Sequence, residues 1–474
     1  MKRTTMSLIC GLSLMPLACG GGAGADGTTT GATGIGETGD SLTTSGSEAS
    51  TTDSSTTDNT TTQSSTTDNS TTANTGDGDG DPATGDGDGD PSTTGNQTTG
   101  GDKFDTLAVP DSAFNCGAPG DAGDFEFSYL WAANSGQGTI SKIDTETVTE
   151  VGRYIVRPDS NGSPSRTSVS LSGHVAVANR SGGVTKIYAD EQFCDDTNGT
   201  PGIQTSNNNQ ALPWGEEECV AWHVPMNYQS QRPVAWGLGE FNQGTCTWED
   251  EELWTSGTNN NGSLDIYLLN GDDGSTIEMI NVPTGGNGLT SSFYGIYGAA
   301  VDPEGNMWGS QLGSAGRLIK VNREDMTYEI FDTPNAGSWY GMTVDAEGIV
   351  WLCSNAVGRF DPETEEWQTN TVGGYTGCMA DIGEDGLLWM STPGNGVVGV
   401  NRDTLQVEAN WNAGGSYGVS IDFEGYVWTV ANGSTASKID PETGEFWTYN
   451  GLFSAYTYSD MTGFALSAVG QAAG

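Results

Sequence analysis

The sequence predicts an all-β protein: a seven-bladed β-propeller of four-stranded antiparallel blades, preceded by a disordered N-terminal spacer. Three observations carry this. The C-terminal half repeats one short motif at a period near 40 residues. The repeat is written in strand and turn residues without helical periodicity. Residues 20–102 hold almost no large apolar side chain.

In chain order, Lys2 and Arg3 precede an apolar run from Met6 to Leu17, and Leu17-Ala18-Cys19-Gly20 follows. The run is too short to span a bilayer, which takes about 20 apolar residues. It reads as a lipoprotein signal peptide, residues 1–18, with a lipobox that leaves Cys19 to be acylated. Acyl chains there would tie the protein to a membrane, each buried CH₂ contributing roughly 0.8 kcal/mol. Gly20 is not the aspartate associated with inner-membrane retention, so the expected location is the cell envelope, at the outer membrane or cell surface.

Residues 19–103 are the lipidated tether, rich in Gly, Ser, Thr and Asp. Ser54 to Asn59 recurs at Ser64 to Asn69, and Gly76 to Pro82 recurs at Gly85 to Pro91. Such a segment cannot bury enough apolar surface to offset its ordering entropy. The chain carries 62 acidic and 16 basic residues, a formal charge of −46. That argues against nucleic acid as a partner, since a phosphate-binding face needs clustered Lys and Arg.

Residues 104–474 form the propeller. Four segments align: Tyr297 to Trp308, Tyr340 to Trp351, Thr376 to Trp389 and Tyr417 to Trp428. Each reads as a short inner strand, a D-x-E-G turn in which Asp caps and Gly takes positive φ, and a strand carrying Trp. Third strands such as Arg317 to Val321, and a second turn such as Asp361 to Thr364, complete the blade. Weaker copies occur at Tyr129 to Ile143 with Trp131, Thr167 to Ile187 with Val177 in the Trp position, and Glu252 to Leu268 with Trp254. The tail from Tyr456 to Leu466 reads as the missing first strand of the Tyr129 blade, closing the ring and removing two exposed edges. The repeated tryptophans are expected to be inter-blade core.

Six cysteines follow the anchor, an even set that suits disulfides in an oxidising compartment; the preferred pairs are Cys194–Cys219, Cys353–Cys378 and Cys116–Cys246. Without a CxxC and with two histidines, a zinc site is not expected. An insertion at 191–232, between the second and third blades, contains Asp196-x-Asn198-x-Thr200, a fragment of calcium-loop spacing. Asp196 and Asn198 are its candidate ligands, but Pro201 stands where such a loop needs glycine and Asn207 where it needs a bidentate glutamate. No cofactor is required on this reading; calcium and magnesium are the candidate ions.

The connections that lead into inner strands are aromatic: Phe293, Tyr294 and Tyr297, then Trp339 and Tyr340, Tyr375, Tyr417, and finally Tyr456 and Tyr458. Arg166 and Trp236 stand at the equivalent places in the earlier blades. Together they predict a rim that stacks on a glycan or holds a peptide, with plugging of the axial channel as the purely structural alternative.

The blade pattern Y-G-x-x-x-D-x-E-G-x-x-W resembles the repeats of the virginiamycin B lyase family over roughly residues 125–466. The resemblance implies a seven-bladed propeller. For activity it implies elimination at a cyclic depsipeptide ester, with histidines at inner-strand starts, a glutamate just after a blade Trp, and magnesium. Here the inner-strand starts hold Tyr297, Tyr340, Thr376 and Tyr417, the places after Trp hold Gln311, Ser354, Thr392 and Ala431, and His174 and His223 lie elsewhere. The expectation is therefore a monomeric binding or scaffolding module with no assigned catalytic residue. The alternative is a metal-dependent lyase acting on a cyclic peptide ester.

Overall fold

A computed structural model describes residues 128–472, apart from 243–244, 246, 374–376, 381–385 and 393–395. The described chain is a seven-bladed β-propeller. The first blade has three laddered strands, Tyr129–Asn134, Thr139–Asp144 and Thr149–Ile155. In the others the innermost strands are Pro164–Val169, Ser230–Trp236, Gly298–Val301, Gly341–Val344, Cys378–Ala380 and Gly418–Ile421. Each begins an antiparallel four-stranded order running outward. The innermost strands are short, rich in small residues and buried almost throughout, as crowding round an axis requires, while outer strands such as Tyr328–Asp332 and Phe446–Tyr449 are largely exposed.

The repeated motif is a hydrogen-bonded unit. In the fourth, fifth and seventh blades one carboxylate oxygen of the motif Asp accepts the amides two and four residues on, and the other accepts the indole N–H of the blade Trp. The indole distances are 3.0 Å for Asp302–Trp308, 2.7 Å for Asp345–Trp351 and 2.7 Å for Asp422–Trp428. Gly305, Gly348 and Gly425 take φ of 78°, 78° and 82°, the left-handed region that only glycine enters without strain. All three tryptophans are fully buried, as expected of inter-blade core.

A second device crosses between blades. The buried amines of Lys142, Lys186 and Lys438 reach backbone carbonyls of the following blade, at Ala189, Gly271 (3.0 Å) and Thr145 (2.9 Å).

Two expectations change in detail. The tail is not a strand through Leu466. Only Tyr458–Ser459 is laddered, and it pairs in parallel with Arg166 and Thr167 of the second blade. The tail still meets the first blade, through Tyr456 N–H to the Ala133 carbonyl (3.1 Å) and Trp131 N–H to the Met461 carbonyl (2.8 Å). After Gly463, at φ 91°, the chain becomes a helix, Phe464–Ala472. Its run of Ala, Leu and Val buries Phe464, Leu466 and Val469 where a strand's alternation would have exposed some of them. Nor is the insertion between blades. Val220–Val224 is the outer strand of the second blade, paired with Val184–Ile187, and Ser230 to Arg232 already belongs to the third. The extra loop thus lies within the second blade, before its outer strand, and a small hairpin, Glu240–Asn242 with Thr247–Glu249, decorates the third.

Disulfides join Cys194 to Cys219 and Cys353 to Cys378. Cys19, the tether and the Cys116–Cys246 pair lie outside the described residues. Among the described residues, no helix is long and apolar enough to cross a membrane.

Candidate functional site

The two ends of the inner strands differ. Where these strands finish, the C-terminal helix packs across them. Ala465, Leu466 and Val469 line a cavity of about 40 Å³ together with Trp236, Val301, Val344 and Asp460. Where they start, the side chains form a polar aromatic funnel.

Tyr297, Tyr340 and Tyr417 each stand one residue before an inner strand, and Tyr456 and Tyr458 come from the closing tail. Their five hydroxyls meet in one cluster. Tyr297 lies 2.9 Å from Tyr340 and 3.0 Å from Tyr456, Tyr340 lies 2.5 Å from Tyr417 and also bonds Tyr456, and Tyr458 lies 2.8 Å from Tyr297 and 3.0 Å from Tyr456. Tyr297 and Tyr458 are buried; Tyr340, Tyr417 and Tyr456 are half-buried. Tyr294 joins edge-on to Tyr297 at 5.7 Å, and Phe293 beside it is exposed.

Burial pushes the Tyr297, Tyr340 and Tyr417 phenols above their usual range. Tyr456 goes the other way. Burial raises it too, but hydrogen bonds from Tyr297, Tyr340 and Tyr417 and the nearby Arg166 charge favour its phenolate and win.

Three arginines flank the phenols. Arg166, 1% exposed, stacks on Tyr458 at 3.1 Å and on Tyr297 at 4.6 Å, and donates from Nε and Nη2 to the Tyr297 carbonyl at 2.9 and 2.7 Å. Its Nη1 has no partner among the described residues, and burial brings its pKa down to about 10. Arg232, 8% exposed, lies over Tyr294 at 4.5 Å and Tyr297 at 5.0 Å, and its Nε is likewise without a partner. Arg180 sits over Tyr456 at 4.8 Å and is anchored through Nε and Nη2 to Ser163. Burial and the Arg232 charge both lower its pKa.

Of the rim predicted from sequence, the structure brings together Tyr294, Tyr297, Tyr340, Tyr417, Tyr458 and Arg166. Tyr375 lies outside the described residues. Trp236 and Trp339 are corrections, each 1% exposed. Trp339 stacks on Trp367 at 6.5 Å and donates to the Pro334 carbonyl, which makes it inter-blade core. Trp236 ends its inner strand, so it faces the cavity under the helix at the opposite end from the funnel. Arg180 and Arg232 were missed. Arg180 follows the second strand of its blade and Arg232 lay at the edge of the supposed insertion, so neither stands at a repeat position that aligns with the tyrosines.

Asp196 and Asn198 hold their own loop. Asp196 accepts the Gly202 amide, Asn198 accepts the Thr200 amide, and Glu218 at the centre accepts amides of Thr197, Asn198 and Gln204 at 2.7 to 2.8 Å. No group of three or more metal-ligating side chains gathers among the described residues. His174 wedges edge-on between Tyr188 and Phe193, and burial lowers its pKa to about 3; His223 bonds Thr185 on an outer strand. Neither reaches the funnel.

These features define a propeller with a basic, phenol-lined mouth at one end of its axis and a helix across the other. No protein-family model and no curated protein matches the chain. Solved propellers do. A streptogramin B lyase structure is 15% identical, over 67% of this chain and 93% of that one, with TM-score 0.44. Virginiamycin B lyase from Staphylococcus aureus is 16% identical, over 60% and 83%, at 0.41. A functionally unknown protein from Desulfotomaculum acetoxidans is 14% identical, over 68% and 95%, at 0.47. At these identities the likeness is one of fold alone.

Proposed function

We propose that this is a cell-envelope lipoprotein, anchored through Cys19, whose propeller is a binding module that takes a ligand at the tyrosine–arginine funnel. The observation that carries the reading is the convergence of five phenols and three guanidiniums on one end of the axis, where the repeat supplies only three of the tyrosines, Tyr297, Tyr340 and Tyr417. Phenol faces offer large contact area with few rotors to freeze. Catalysis of the streptogramin-lyase type gains no support from the mouth, where neither histidine reaches.

The test uses the full-length protein in detergent, probed against an array of envelope glycans and peptides, wild type beside a Tyr294→Ala/Tyr417→Ala double variant. Retention of a ligand by the wild type, weakened at least tenfold in a folded double variant, is expected. Equal retention by both would place binding elsewhere.

A further inference from the structure

The repeat makes the funnel's asymmetry informative. The fourth, fifth and seventh blades place a tyrosine before the inner strand. The second and third place arginines at the mouth instead: Arg166 and Arg232 on inner strands, Arg180 just after Val175–Asn179. All three therefore come from two neighbouring blades and lie directly against the phenols, Arg166 and Arg232 over Tyr297 and Arg180 over Tyr456.

Their electrostatics are unbalanced. In a chain with 62 acidic residues, none of the three forms an ion pair with a carboxylate among the described residues. Elsewhere Arg153 pairs with Glu150 at 2.8 Å and Arg323 with Glu252 at 2.7 Å, so carboxylates are available where pairing is structural. Burying charge without a partner is costly. Among the described residues, Arg166 Nη1 and Arg232 Nε are both buried without an acceptor, and Arg180 commits only Nε and Nη2, to a serine.

Building on the binding-module reading, we propose that the three guanidiniums form an oxyanion site for a phosphate or sulfate group carried by the ligand. Arg232 and the free Nη1 of Arg180 make the contacts, Arg166 supplies charge from beneath, and Tyr294 and Tyr456 form the walls. Three uncompensated cations favour a multiply charged group over a single carboxylate, and guanidiniums suit it because several N–H donors face the same way. The overall acidity of the chain repels a long polyanion, which limits the site to an isolated anionic group at the funnel.

The experiment follows thermal melting of the full-length protein and its tyrosine fluorescence on adding inorganic phosphate, sulfate, glucuronate or chloride at constant ionic strength. Phosphate or sulfate, but not chloride, should raise the melting temperature and change the fluorescence. Arg180→Gln and Arg232→Gln, checked for folding by circular dichroism, should each weaken the effect at least tenfold, and Arg180→Lys should restore part of it.

A response to glucuronate alone would overturn the multiply charged class. No response to any anion, or one that the folded glutamine variants leave unchanged, would overturn the site. If the array still shows a neutral ligand lost in Tyr294→Ala/Tyr417→Ala, the binding module stands and the anion does not.

Discussion

Asp460 shows how a single residue can set pH dependence. It lines the cavity beneath the helix, with Oδ1 accepting the Thr462 and Gly463 amides. Burial raises its pKa to about 6, and burial does the same for Asp345. The folded chain therefore keeps a proton that the unfolded chain releases near pH 4. Stability is fullest below that point and falls as pH rises through 6, by about 3 kcal/mol for this residue. Asp460→Asn should gain on the wild type as pH climbs from 4 to 6.5, measured as the difference between their melting temperatures; a constant difference would mean that Asp460 does not titrate in this window. At the same scale, much of the site was legible, because tyrosines at repeat positions announce themselves by register. Arg180 and Arg232 were not, since their meaning comes from which blades flank them across the ring, and Trp339 misled because its neighbour Tyr340 faces the axis while it turns into the core.

Within a blade, the unit of stability is the Asp–Trp bond. Asp422 is fully buried and accepts from the Trp428 indole and the amides of Glu424 and Tyr426, with Lys438 3.7 Å away. Asp422→Ala strands those donors in the interior, and each buried unsatisfied group costs about 1–3 kcal/mol. A loss of about 3 kcal/mol is expected in denaturant unfolding. The divergent blades provide an internal control: the buried indole N–H groups of Trp131 and Trp254 have no acceptor among the described residues. Trp254→Phe should therefore destabilise less than Trp428→Phe, and equal costs would remove the hydrogen bond from the account and leave packing alone. The D-x-E-G-x-x-W spacing made the hairpin readable from sequence, because the carboxylate, the glycine and the indole are all local. The inter-blade lysine contacts were unreadable, as their acceptors are backbone carbonyls 47, 85 and 293 positions away.

For the molecule as a whole, closure and anchoring are the properties to test. Cys19→Ser should abolish labelling by palmitate and release the protein from the membrane fraction; continued sedimentation with membranes would point to some other attachment. Closure rests on two parts of the tail that truncation can separate. Ending the chain after Gly463 removes the helix and bares the cavity lined by Trp236 and Val344, but keeps Tyr456, Tyr458 and the Trp131–Met461 bond. Ending it after Ala455 also removes the Tyr456–Ala133 and Trp131–Met461 bonds to the first blade and two of the five clustered phenols, and leaves Pro164–Val169 without its partner Tyr458–Ser459. An open ring exposes strand edges that invite association. The shorter truncation should melt at a lower temperature in one cooperative transition, whereas the longer one should lose protection of the Trp131 amide from hydrogen exchange and aggregate on warming. If both truncations melt alike with Trp131 still protected, the helix and not the returning strand holds the ring shut.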